Sequence, residues 1–136
     1  MANFDKAFEK TVAAEGGYVN NPNDKGGETY MGVTRKNHPS LAMWEWVDRF
    51  KVLYKGKELN KKLKENSIVQ KDVKTVYRTL YWNLLKLDLV KSQRVANQFF
   101  DNAINCGVVP TIKMMQRLKN QKETGRMSES LINLYK

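Results

Sequence analysis

Glu15-Gly16-Gly17-Tyr18-Val19-Asn20-Asn21-Pro22-Asn23-Asp24-Lys25-Gly26-Gly27-Glu28-Thr29-Tyr30-Met31-Gly32-Val33-Thr34 is the stretch on which the fold turns. Ahead of it, Phe4, Ala7, Phe8, Thr11 and Val12 recur at i, i+3, i+4, i+7 and i+8, the stripe of an amphipathic helix, with Asn3 placed to cap its start. That helix is expected to close at Gly16-Gly17, because glycine tolerates the left-handed backbone that ends a helix. Asn20 to Gly27 is dense in turn formers, and Glu28 to Thr34 carries little helical patterning. The stretch therefore reads as a loop followed by a short strand or hairpin.

Beyond Arg35 the helical pattern returns. Ser40 is placed to cap a short helix through Phe50, with Leu41, Trp44, Val47 and Phe50 at helical spacing. Residues from Leu53 to Ser67 are polar and lysine-rich and give the weakest signal. Val73, Val76, Tyr77, Leu80, Tyr81 and Leu84 mark a stronger helix. Ser92 begins another, with Val95, Ala96, Phe99, Ala103 and Ile104 inward and Gly107 at its end. Pro110 opens the next through Ile112, Met115 and Leu118, and Ser128 a last one through Leu131 and Leu134. Repeats, low-complexity segments and linkers are absent from the sequence. The fold class that follows is mainly α, an α+β arrangement with a small β-hairpin after the first helix, in one domain over 1–136.

A chain of 136 residues fits one domain, compact domains holding about 100–150. Cys106 is the single cysteine and His38 the single histidine. An internal disulfide, a multi-cysteine metal site and a multi-histidine zinc site are all excluded by that count. No metal or cofactor is expected, and carboxylates become the candidates for proton chemistry. No apolar run approaches the ~20 residues of a membrane span. Met1-Ala2-Asn3-Phe4-Asp5-Lys6 lacks the cationic and apolar segments of a secretory signal. The expectation is synthesis in the cytoplasm, with assisted release if the target lies outside. Net charge is +10; residues 1–34 hold three lysines against five acids, and residues 35–136 hold 21 basic against nine acidic side chains. Such a surface attracts nucleic acid, anionic lipid or an anionic cell wall without choosing between them.

Glu15 falls in the expected last turn of the first helix, where backbone carbonyls present partial negative charge. That field and partial burial both favour the protonated carboxyl, the state a general acid needs to protonate a glycosidic oxygen. By position alone, a surface glutamate tolerated at a helix end is the simpler reading, because misplaced surface acids cost little.

The stretch from Glu15 to Thr34 resembles the signature of glycoside hydrolase family 108, close to E-G-G-Y-x-x-x-P-x-D-x-G-G-x-T-x-x-G-I-T, with Val33 in place of the isoleucine. Tyr77-Arg78-Thr79-Leu80-Tyr81-Trp82 is similar to the family's tyrosine–tryptophan helix. Phe99-Phe100-Asp101-Asn102-Ala103-Ile104-Asn105-Cys106-Gly107 resembles the F-D-x-x-x-N-x-G segment that opens its C-terminal part, so 93–136 looks like the family's peptidoglycan-binding region. Residues 38–70 match poorly, and the turn before the last helix is shortened to Glu123-Thr124-Gly125-Arg126. The resemblance implies a lysozyme-like fold, a phage-type or bacterial N-acetylmuramidase acting on the β-1,4 bond after N-acetylmuramic acid, and Glu15 as its acid.

The spacing of Glu15, Asp24 and Thr29 also resembles the acid, aspartate and threonine of phage lysozymes. By that likeness Asp24 would position or activate water, or stabilise charge on the sugar, and Thr29 would hold the water. An ordinary turn residue and an ordinary strand residue remain the plain alternatives, and Glu28 is a rival second carboxylate. Direct attack by water wants carboxyls about 6.5–9.5 Å apart and inverts configuration, whereas retention wants about 5–5.5 Å; the phage-lysozyme likeness leans to inversion. Tyr30, Tyr81 and Trp82 are candidate sugar platforms, and Asn105 and Asp101 candidate polar contacts to the substrate. Tyr81 shares a packing face with Tyr77, whereas Trp82 lies off it. Asn105 is as suited to a helix end, and Asp101 to a buried hydrogen bond. The expected partner is the peptidoglycan glycan strand, met by a monomer without specific nucleic-acid binding. A non-catalytic peptidoglycan binder on the same fold and a lytic transglycosylase are the alternatives, and a basic nucleic-acid binder would leave the signature unexplained.

Overall fold

The computed structural model describes residues 1–12, 16–23 and 25–136. Helix α1 spans Phe4–Thr11, and the Asn3 side chain caps it by accepting from the Lys6 N–H at 3.0 Å. Three short strands follow, β1 (Tyr18–Asn20), β2 (Glu28–Tyr30) and β3 (Val33–Thr34). They form an antiparallel sheet in the order β1-β2-β3. Helices α2 (Met43–Leu53), α3 (Gly56–Glu65), α4 (Ser67–Tyr77), α5 (Gln93–Cys106), α6 (Val108–Leu118) and α7 (Glu129–Asn133) complete the described elements, with a π-helical turn at Arg78–Trp82 and a 3-10 turn at Leu87–Leu89. This is the mainly helical α+β class expected, with a third strand added to the hairpin.

The chain divides into two units, one of Met1–Ala14 with Tyr77–Lys136 and one of Glu15–Val76. In the second, Met31 and Gly32 make the two-residue link between β2 and β3, both at positive φ (49° and 81°). That pair of left-handed residues matches the twist of a tight hairpin. Helix α2 starts at Met43 rather than under a Ser40 cap, because Asp72 of α4 accepts the Met43 N–H at 2.8 Å. The lysine-rich stretch is helix α3: Leu59 and Leu63, one turn apart, are buried, and its lysines line the remaining faces.

The first unit is built on an aromatic cluster of Phe4, Phe8, Tyr77, Trp82 and Phe100. Ring centroids lie 5.5 Å apart for Phe4 and Trp82, 5.6 Å for Trp82 and Phe100, and 5.7 Å for Phe4 and Phe100, all edge to face, the arrangement that ring quadrupoles favour. Ser92 and Ser128 cap α5 and α7 as expected, accepting from Val95 N at 3.2 Å and Leu131 N at 3.1 Å. Reciprocal bonds tie the Asn3 backbone to the Gln93 side chain at 2.7 and 3.0 Å, which docks the start of α1 on α5. The shortened turn at 123–126 is held from within by Gln116: its Oε1 accepts from Gly125 N at 3.0 Å, and its Nε2 donates to Thr124 Oγ1 at 2.8 Å.

The π-helical turn corrects one expectation. The Asn83 N–H reaches back five residues to the Arg78 carbonyl at 2.8 Å, so one extra residue enters the turn. The inward face shifts from 81 and 84 to 82 and 85: Trp82 and Leu85 are fully buried, while Leu80 and Leu84 are exposed. Leu118 and Leu134, also expected inward, are exposed as well.

Candidate active site

The glycines after Glu15 do different work. Gly16 adopts φ +91°, a conformation L side chains rarely take. Gly17 lies against Asn60 of α3, where an added Cβ would come 2.3 Å from Asn60 Oδ1. The same amide oxygen accepts the Tyr18 N–H at 2.9 Å. Asn60 thereby clamps the chain two and three residues beyond Glu15. Glu15 and Asp24 themselves lie outside the described residues. Ahead of Asp24, the Asn21 side chain accepts from Asn23 N at 3.0 Å, an Asx turn that sets the loop.

Strand register sorts the sheet residues onto two faces. Tyr18 pairs with Tyr30 and Tyr30 with Val33, which puts all three on one face together with Glu28. Tyr30 and Val33 are buried there, and Tyr30 Oη accepts from Gln70 Nε2 at 3.1 Å. Thr29 pairs with Val19 and Thr34 and so stands on the opposite face, beside a Val19 that is 53% exposed. Thr29 is half-buried on the central strand of the sheet.

Glu28 is the best-connected carboxylate described. Arg35 Nη1 donates to its Oε1 at 2.9 Å, Lys51 Nζ to its Oε2 at 3.0 Å, and the Tyr18 hydroxyl also donates to Oε2. Arg35 forks onto Asp48 at 2.7 and 2.9 Å, and Lys51 reaches Asp48 at 3.0 Å. Burial pushes the Glu28 carboxyl up, but the donors Tyr18, Arg35 and Lys51 outweigh it and hold it below the ordinary value. The Arg35 fork likewise holds Asp48 well below the carboxylate range, burial notwithstanding. Tyr18 is pushed up by burial and by its bond to Glu28. The network joins β2, the residue after β3 and α2, and it keeps Glu28 ionised.

The other candidates divide. Trp82 is fully buried, with its Nε1 donating to Asp88 Oδ1 at 2.7 Å, so it has no free ring face for a sugar. Tyr30, 2% exposed, is a core residue for the same reason. Tyr81 is half-buried, its ring 5.8 Å from Tyr77. Asp101 is exposed rather than buried; Asn105 Nδ2 donates to its Oδ1 at 3.1 Å and to its carbonyl at 3.0 Å. Gly107, at φ +102°, is the joint between α5 and α6. The sequence reading missed Tyr18 as a donor to Glu28, Arg35 and Lys51 as its counter-charges, and Asn60 as the clamp. For Arg35 and Lys51 the signal was an acid inside the signature followed by cations at 35 and 51; nothing local marks Tyr18 as a donor or Asn60 as a clamp. Among the described residues no group of His, Cys, Asp and Glu has the makings of a metal site, and no helix is long and apolar enough to cross a membrane.

No curated protein sequence matches this chain. Among solved structures, SagA of Brucella abortus is similar over 97% of this chain and 67% of that one, at 27% identity and a TM-score of 0.61. The likeness fits the lysozyme-like α+β class. The family model of glycosyl hydrolase 108 matches residues 8–107, from within α1 through the signature, the sheet, the π-helical turn and α5. Helices α6 and α7 lie beyond the matched span. With the signature, the sheet it builds and the family match in agreement, the chain belongs to the glycosyl hydrolase 108 family and is, at the level of that family, a peptidoglycan-directed glycosidase.

Proposed function

We infer that the protein is an N-acetylmuramidase that hydrolyses the β-1,4 bond between N-acetylmuramic acid and N-acetylglucosamine. Glu15 gives its proton to the glycosidic oxygen as the C1–O bond breaks. A water held by Thr29 and Asp24 attacks C1 from the opposite face and passes its proton to Asp24, so configuration inverts. Solvent exchange then resets both carboxyls.

The observation that carries this reading is the occupation of Glu28. Both of its oxygens accept from cations, and its carboxyl is held low. A carboxylate so placed is a poor acid and a poor base near neutral pH. Of the three acids in the signature, Glu15 and Asp24 are then left for the chemistry.

Digestion of purified sacculi, with mass spectrometry of the released muropeptides and NMR of the first-formed anomer, tests the reaction. Reducing N-acetylmuramic ends released as the α anomer are expected. Anhydro ends would make the protein a transglycosylase, β-anomer product would replace inversion with retention, and binding without release would leave a wall-binding protein.

A further inference from the structure

Helix α5 carries a polar stripe that the muramidase chemistry does not use. Arg94, Asn97, Gln98 and Asp101 follow one another at i, i+3, i+4 and i+7 and share a face, while Ala96, Phe99, Phe100 and Ala103 are buried. With Lys10 and Thr11 at the end of α1, the stripe lines a groove of about 420 Å³.

The lining defines what fits. It offers two cations, one carboxylate, two amides and a hydroxyl, and no aromatic ring on which a sugar could stack. A neutral glycan has no use for the charges, and a polyphosphate would be repelled by Asp101. Asn105 occupies one oxygen of Asp101, leaving the second to accept. Gln93 Nε2 donates to Asn97 Oδ1 at 2.8 Å, which orients that amide with its NH2 as the end left to donate. Among the described residues Lys10 and Arg94 make no ion pair. The complementary ligand is an extended zwitterion with more carboxylates than amines.

A peptidoglycan stem peptide has that chemistry, and it hangs from the sugar ring next to the bond that is cut. We propose that the groove between the end of α1 and α5 binds the peptide stem of the substrate, Lys10 and Arg94 taking its carboxylates and Asp101 its free amine. The proposal rests on the muramidase reading for its substrate, though not for its direct test.

That test has two arms. In the first, a free stem tetrapeptide with a diaminopimelate third residue is titrated into wild type and the Lys10→Ala/Arg94→Ala double variant, followed by NMR. Wild type is expected to show saturable shifts at Asn97, Gln98 and Asp101, and the variant to bind at least about 10-fold more weakly, the usual loss for a charge-assisted contact. Arg94→Lys should restore part of the affinity. In the second arm both proteins digest intact sacculi and glycan strands stripped of their stems by an amidase. The variant should lose activity on sacculi through KM and keep it on stripped strands, with near-UV circular dichroism unchanged. Tetrapeptide shifts that are absent from wild type or unaltered in the variant would overturn the proposal, as would equal loss on both substrates. Wild type inert towards both glycans would instead sink the muramidase reading, and the binding arm would still decide whether the groove takes the peptide.

Discussion

At the scale of single residues, Glu28 belongs to the frame. Replacing it with glutamine leaves Arg35 and Lys51 facing a neutral amide in a half-buried setting, and the loss should be about 1–3 kcal/mol in urea unfolding. The pH dependence has a definite sign. Glu28 and Asp48 are both held below their unfolded values of 4.5 and 3.8. Their contribution is therefore fully present above those values and is lost as pH falls through the depressed ones. Between pH 6 and pH 3 the wild-type Tm should fall more steeply than that of a Glu28→Gln/Asp48→Asn variant; parallel curves would count against the network. Gly17→Ala should cost about 1–3 kcal/mol, because the new methyl meets the Asn60 amide. Little of this was legible in the sequence. Glu28 stands out as an acid in a signature, but its partners Tyr18, Arg35 and Lys51, and Asp48 that shares the two cations, come together only through strand pairing and the docking of α2.

At the scale of elements, legibility followed local chemistry. The caps at Asn3, Ser92 and Ser128 depend on a side chain bonding a backbone three residues on, which sequence states directly. The start of α2 depends on Asp72, 29 residues away from Met43, and no local rule reveals it. Helix α3 was nearly invisible because two leucines carry its whole buried face. The π-helical turn misled differently, since a period of 3.6 carried through Tyr77 assigns Leu84 inward. The shifted register makes a clean prediction for chemical denaturation: Leu85→Ala should cost about 2–5 kcal/mol, and Leu84→Ala within about 0.5 kcal/mol. Costs in the reverse order would restore an uninterrupted α-helix. For the candidate site the same shift matters more, because it turns Trp82 from a sugar platform into the centre of the aromatic cluster.

For the molecule as a whole, the fold class was readable from helical periodicity with one turn-rich interruption, and the family from the signature in that interruption. The net charge of +10 chose no partner by itself; with a glycosidase of this family established, an anionic wall is the surface it suits. Association with sacculi should therefore weaken as salt shortens the reach of the field, to about 8 Å at 0.15 M ionic strength. Activity at low substrate should fall with added NaCl while kcat holds; a salt-independent KM would show that the basic surface takes no part. The measurement closest to the centre of this account is hydrolysis of sacculi by Glu15→Gln beside wild type and Glu28→Gln, each checked for folding by circular dichroism. Glu15→Gln should be folded and at least about 1,000-fold slower, with Glu28→Gln active at temperatures where it stays folded. A folded Glu15→Gln that cuts at the wild-type rate, or a folded Glu28→Gln that does not cut at all, would contradict the assignment of the acid.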